Sequence, residues 1–317
     1  MDDKIKVSII CNAYNHANYI KDALEGFIMQ KTNFAYEVLI HDDASTDNTA
    51  SIIRKYENKY PKLIKGIYQT ENQYSKGINI TKTYHLPRVN GKYIALCEGD
   101  DYWTDPLKLQ KQYDKMEKNP QIDICAHAVT RIRASNGEKI DFIAPSNKET
   151  VFSLGEVIGG GGGFVATNSL FYRRELLDNQ PQFRKKCGLD YSLQIQGAMR
   201  GGMLYLPDNM AVYRALVPGS WTVRMNQNGY NDNQRSKIKM MLDMVDEETL
   251  GKYSEIVNKA KLEVDFSSFE IAGRYRELRK GDLRKLYNEK SLQWKVKTYI
   301  KEYFPFVFQI YRKIGKK

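Results

Sequence analysis

Long hydrophobic runs are missing from this chain of 317 residues. Stretches such as Phe304 to Phe308, interrupted by Pro305, fall far short of the roughly 18 apolar residues that a membrane-spanning helix needs. A secretory leader is not seen either. Met1-Asp2-Asp3-Lys4 runs straight into a strand-like segment, with no basic n-region and no apolar h-region. The expected location is therefore cytoplasmic, free or peripheral to a membrane. Cysteine is scarce, with four residues at 11, 97, 125 and 187 in neither metal-type nor redox-type spacing. Three lie in apolar, strand-like runs, where a free thiol packs as a small hydrophobe, and no disulfide framework is expected. The four histidines, at 16, 41, 85 and 127, show no ligand spacing. No recognised nucleic-acid module accompanies the positive charge, so nucleic acid is not an expected partner.

What is present is an ordinary hydrophobic content of 42%, enough for one large domain or two small ones. The net charge of +11 is unevenly placed. Residues 273–317 carry 14 Lys or Arg against 4 Asp or Glu, a net of +10, which leaves +1 for the remainder. A near-neutral body with a basic tail predicts an anionic surface as the tail's partner.

The first 120 residues alternate β-rich runs with helical patterns, which predicts a parallel α/β sheet. Lys6 to Cys11, Tyr36 to His41, Leu63 to Tyr68 and Lys92 to Cys97 read as strands. Helices are expected over about 17–30 and 48–59, the second preceded by Ser45 and Asp47 as candidate caps. A third follows the loop at 98–104, with Asp105 as cap and Pro106 in its first turn. Segments 122–133 and 139–143 flank Ser135-Asn136-Gly137-Glu138, a hairpin pattern. A strand at 169–173, a helix opening near Asp190 and a strand pair over 203–216 complete this part, and a domain boundary is expected near 225–232. The five glycines at 159–163 follow no first strand and fit neither the dinucleotide nor the P-loop spacing, which predicts a mobile loop.

Three acidic clusters fall just beyond the carboxyl ends of strands, where open α/β sheets place ligands. They are Asp42-Asp43, Glu98-Gly99-Asp100-Asp101 and Asp190. Adjacent carboxylates suit a hard divalent cation that takes one or two of them together with substrate phosphates. The plainer alternative is that each pair caps the helix that follows it.

The runs VSIICNAYNHANYI, VLIHDDASTDNT and GKYIALCEGDDYWTDPLKLQKQ, in that order, resemble the family 2 glycosyltransferases of GT-A fold. The similarity is greatest to bacterial enzymes of capsular and other surface polysaccharides, and covers roughly residues 4–216. That resemblance implies a Rossmann-like mixed sheet flanked by helices and inverting transfer from a nucleoside diphosphate sugar, usually a UDP-sugar, to a hydroxyl. The acceptor it implies is lipid-linked or a growing glycan, and the cofactor is Mn²⁺ or Mg²⁺. Residue by residue, it implies that Asn12 and Tyr14 line the nucleobase site and that Asp43 hydrogen-bonds the base. It implies that Asp101 ligates the metal with Asp100 near the ribose or sugar, that Lys82 lies near the diphosphate, and that Asp190 is the general base. Tyr14 alternatively closes a strand–helix turn. The first acid of the metal motif is commonly aspartate in this family and is Glu98 here.

The domains expected are a catalytic one over about 1–228 and a basic, helical segment over 229–317. In the latter, Leu292, Val296, Tyr299, Ile300 and Tyr303 share one helical face with lysines mostly off it, the pattern of a helix in the interface of an anionic membrane. The alternative is a helix packed on the catalytic domain or on a second subunit of a homo-oligomer. Two rival functions stand beside this one. A sugar nucleotidyltransferase needs a Gly- and Arg-rich loop after the first strand, and residues 11–16 have none. A non-catalytic carbohydrate- or nucleotide-binding protein has no need of all three acidic clusters.

Overall fold

The computed structural model describes residues 4–225, 230–304 and 306. Its chain divides into two compact units, residues 1–217 and 218–317, so the division falls ahead of the boundary expected near 225–232.

The first unit is built on a ten-stranded sheet. The strands are β1 (Ile5–Ala13), β2 (Ala35–Asp42), β3 (Ile64–Tyr68), β4 (Tyr93–Leu96), β5 (Tyr102–Trp103), β6 (Ile124–Arg133), β7 (Lys139–Ile143), β8 (Thr150–Phe152), β9 (Phe171–Arg173) and β10 (Met203–Ala215). Its helices are α1 (Ile20–Ile28), α2 (Thr49–Lys59), α3 (Lys108–Lys118), α4 (Leu154–Gly160), α5 (Glu175–Asp178), α6 (Gln182–Cys187) and α7 (Asp190–Ala198). The strand order is β3-β2-β1-β4-β9-β6-β10-β5, with β7 on β6 and β8 on β10. β3, β2, β1 and β4 are mutually parallel, so their carboxyl ends share one edge. β9 is antiparallel to β4 and β6, which makes the sheet mixed as expected.

Burial explains why the first strands are nearly continuous apolar runs. Val7, Ile9 and Cys11 of β1 and Val38 and Ile40 of β2 share a core with Ile20, Ala23, Leu24 and Phe27 of α1. A strand covered on both faces has no side on which to place polar residues. All four cysteines are free and buried.

Several element boundaries differ from the sequence expectation for identifiable reasons. Helix α1 starts at Ile20 rather than near 17, because side chains of the β2–α2 loop hold the preceding backbone. Ser45 Oγ accepts from Asn15 N at 2.9 Å, Thr49 Oγ1 from His16 N at 2.8 Å, and Asp47 Oδ2 from Ala17 N at 3.0 Å. Ser45 and Asp47 thus tie two loops together, and Asp47 also receives Thr49 N at 2.9 Å. Asp105 accepts from Leu107 N at 2.8 Å, but the helical span begins at Lys108. The segment 203–216 is one strand rather than a pair. It runs parallel to β6 and carries register shifts around Asn209.

Lys108 is an unexpected core residue. Its ammonium lies 3.9 Å from the centre of the Trp103 ring and donates to Gln112 Oε1 at 2.7 Å, with no exposed surface. Burial pushes it down to about 7.

The second unit is helical, with α8 (Trp221–Arg224), α9 (Tyr230–Glu248), α10 (Ser254–Ile271), α11 (Leu283–Glu289) and α12 (Leu292–Tyr303). Phe266, Tyr275 and Leu278 form its small core, joined by Phe269, Leu283, Leu286, Tyr287 and Trp294. Asp265 of α10 pairs with Arg235 and Lys239 of α9. Among the described residues, no helix is long and apolar enough to cross a membrane. Residues 229, 305 and 307–317 of the expected basic segment lie outside the described residues.

Candidate active site

Because β1, β2 and β4 are parallel, residues immediately after them meet at one edge. Backbone bonds carry the three exits side by side. Asp43 N donates to Ala13 O at 2.9 Å, and Gly99 N donates to Asn12 O at 2.9 Å. Gly99 has no room for a side chain. A Cβ there would sit 2.9 Å from both His16 Nδ1 and Ile20 Cδ1.

The acidic loop lies in this crowded place. Asp101 is only 2% exposed, and its Oδ1 accepts the backbone N of Arg214 at 2.8 Å. Its carboxyl is pushed well above the usual range, first by burial and then by the charge of Asp100. Glu98 is pushed up to about 8 by burial, then by Asp100 and Asp190, while a hydrogen bond from Asn12 opposes the shift. His16 Nε2 stands 4.0 Å from Asp100 Oδ2. The site therefore concentrates carboxyls that lack enough positive charge to remain ionised together.

Arg214, on β10, supplies part of that charge. Its Nη1 donates to Asp100 O at 2.9 Å, its other terminal nitrogen reaches Asp22, and its guanidinium lies 4.4 Å from the centre of the Tyr102 ring. The antiparallel register Ala211 to Trp103 and Val212 to Tyr102 sets Arg214 beside Asp100. That contact spans 114 positions and had no signal in the local sequence.

Asn12 links the loop to a buried histidine. His85 Nε2 lies 3.0 Å from Asn12 Oδ1, and burial pushes the imidazole down to about 3, so it is neutral and Nε2–H donates. This contact brings the 81–85 turn, on which Lys82 is exposed, to the end of β1. Tyr14 is 45% exposed just beyond β1. Asp43 is buried and spends its carboxylate on a neighbouring loop. Oδ1 accepts from Gln73 N at 2.7 Å and Oδ2 from Tyr74 N at 3.0 Å.

Asp190 opens α7, exposed at a helix N-terminus. Thr167 Oγ1 donates to its Oδ2 at 2.6 Å. The structure thus gathers Asn12, Glu98, Asp100, Asp101 and Asp190 in one electrostatic neighbourhood, with Asp43 on the adjacent strand exit. Thr167, His16, His85 and Arg214 join them without having been singled out from sequence. The glycine run, expected as a loop, instead begins within α4, whose last two residues are Gly159 and Gly160, and Gly162 O accepts from Gln194 Nε2 of α7 at 3.3 Å.

The donor set fits a hard divalent ion. It is made of carboxylate oxygens, and the raised proton affinities of Glu98 and Asp101 mark a deficit of positive charge. No group of three or more His, Cys, Asp or Glu side chains among the described residues forms an ion cage. An ion that draws on one or two carboxylates, a diphosphate and water requires no such cage.

A mixed sheet of this order, with carboxylates at the shared exits of its parallel strands, defines a GT-A glycosyltransferase fold. The chain belongs to glycosyl transferase family 2, whose profile matches residues 8–179. An uncharacterized protein of Mycobacterium tuberculosis is 36% identical over 250 residues, 75% of this chain and 68% of that one. The putative teichuronic acid biosynthesis glycosyltransferase TuaG of Bacillus subtilis is 32% identical over 137 residues, 43% of this chain and 50% of its own. In fold, the chain resembles S. aureus TarS in complex with UDP-GlcNAc, with a TM-score of 0.61 and 18% identity over 84% of this chain and 73% of that one. It also resembles the mannosyltransferase PcManGT of Pyrobaculum calidifontis in complex with GDP-Man and Mn²⁺. There the TM-score is 0.58 and the identity 15%, over 96% and 82% of the two chains.

Proposed function

We propose that this chain transfers a sugar, with inversion, from a UDP-sugar to a hydroxyl of a lipid-linked or growing glycan in surface polysaccharide biosynthesis. The observation that carries this reading is the acidic Glu98–Asp101 loop at the exits of β1 and β4, tied there by Gly99 N on Asn12 O, with Asp190 near enough to help push the Glu98 carboxyl up. A relative named for teichuronic acid biosynthesis and neighbours holding nucleotide sugars support the substrate class.

Tyr14 offers an exposed ring face for uracil. Asp43 retains lone pairs for a base N–H, since a carboxylate accepts about four hydrogen bonds and two are already used. Asn12 borders the same wall, Asp100 faces the ribose or sugar, and Lys82 supplies a cation for the diphosphate. Asp101 would hold Mn²⁺ or Mg²⁺, which neutralises charge growing on the departing diphosphate. Asp190 takes the proton of the acceptor hydroxyl as its oxygen bonds to the anomeric carbon. The bond to UDP breaks with its electron pair on the diphosphate. Thr167 Oγ1 donates to the Asp190 carboxylate and fixes its orientation.

The test is UDP release with a panel of nucleotide sugars, with and without chelator. Asp101→Ala should abolish transfer and weaken UDP binding at least tenfold, and EDTA should do the same reversibly. Calorimetry showing UDP bound as tightly by the variant, or by the native chain in EDTA, as by the untreated native chain would overturn the metal assignment.

A further inference from the structure

Helix α12 is amphipathic in an inverted sense, because its less apolar face is the one packed on the second unit. Trp294 stacks on Phe266 with ring centroids 5.7 Å apart and donates to Glu270 Oε1 at 2.9 Å. Thr298 is buried, and Glu302 pairs with Arg276 at 3.0 Å and Arg279 at 2.6 Å. The spacing 294, 298, 302 follows one side of a helix.

The opposite side carries Leu292, Val296, Tyr299 and Tyr303, at intervals of 4, 3 and 4. They are 77, 50, 50 and 43% exposed, and Phe304 and Phe306 beyond them are 53 and 72% exposed. Six large apolar side chains in sequence-adjacent, exposed positions form a patch of the kind that marks an interaction surface. Lys295 and Lys297 flank it, and the sequence continues with Arg312, Lys313, Lys316 and Lys317.

We propose that this stripe is the face by which the protein lies on an anionic lipid surface, with the aromatic and aliphatic side chains in the interface and the lysines at headgroup level. Charge complementarity selects this occupant. An isologous contact with a second copy would set two segments of net +10 against each other, whereas anionic headgroups neutralise them. The packed face explains how a helix of 12 residues is held ready without the membrane. Leu292 and Val296 lie wholly on the exposed side, while Tyr303 at the stripe's end also reaches the packed side, its ring centre 5.7 Å from the Arg276 guanidinium and 5.9 Å from that of Arg279. Membrane attachment and packing on protein, alternatives in the sequence, are compatible on opposite sides of one helix.

Sedimentation of the full chain with phosphatidylcholine vesicles, with and without phosphatidylglycerol, tests this. Binding should require the anionic lipid and weaken as salt rises. The triple variant L292S/V296S/Y299S should lose at least tenfold in partition with its circular dichroism unchanged, since the three side chains support no core. Lys297→Gln, which leaves the stripe intact, should lose about fivefold, the worth of one basic residue near the surface. Equal partition of all three proteins would overturn the proposal. So would a triple variant that changes from dimer to monomer in sedimentation velocity while its vesicle binding is unaltered, which would make a second copy the occupant. Vesicle partition needs neither donor nor turnover, so its failure leaves the transferase reading untouched.

Discussion

Asp190 shows how far single residues were legible. Its position after a short loop and before a helix announced a carboxylate at a helix N-terminus, and it opens α7. What the local sequence did not announce was Thr167, which lies on a separate segment 23 positions earlier. Asp190→Asn keeps the shape of the side chain and removes the proposed base. Turnover in UDP release should fall by roughly two to four orders of magnitude, with UDP affinity unchanged in calorimetry. Near-normal turnover would move the base to another carboxyl. Asp43 illustrates the opposite limit. Its type and place were readable, but its engagement with the amides of Gln73 and Tyr74 depends on a loop 30 residues away. The histidines were set aside for lack of ligand spacing. His85 acts instead as a neutral donor to Asn12, which no spacing rule describes.

Elements were read well where hydrophobic period decided them and less well where side chains competed for backbone. The four parallel strands and the 124–143 hairpin follow the pattern of apolar runs and turn residues. The start of α1 does not, because three side chains from 45–49 bond the amides at 15–17 and hold that backbone in a loop conformation. Strand β10, expected as a pair, carries Pro207-Asp208-Asn209 in its middle. The register shifts there let one strand continue past a proline. The acidic loop is set between α1 and β1 by the missing side chain of Gly99. Gly99→Ala should cost about 1–3 kcal/mol in urea unfolding, as overpacking of a filled site does, and should lower UDP affinity by shifting Asp100 and Asp101. An unchanged midpoint with unchanged UDP affinity would show that His16 and Ile20 yield without moving the loop.

For the whole molecule, charge distribution was visible from composition, whereas the place of division was not. It lies at Val217–Pro218, directly after the sheet's last strand, where composition does not yet change. Lys108 gives the global stability a distinctive pH dependence. Its folded value of about 7 lies below the unfolded value of 10.5, so between these the unfolded chain holds a proton that the folded chain does not. This contribution is present at the alkaline end and is lost as pH falls toward 7. In Lys108→Met the contribution vanishes. Its stability relative to the native chain should therefore improve between about pH 9.5 and pH 7.5 in urea titrations. A difference independent of pH would place the buried proton elsewhere.

The contact between Arg214 and the acidic loop also governs the order in which the molecule can become itself. A ribosome making this chain releases the cluster at 98–101 more than a hundred residues before the arginine that partly neutralises it. Until β10 is laid beside β6 and β5, the crowded carboxyls repel one another without that cation, and the catalytic edge cannot close around them. Contacts of such sequence separation are formed late and slowly. Refolding from denaturant should consequently show its slowest phase in the assembly of this edge, after β1 to β3 and their helices have already paired.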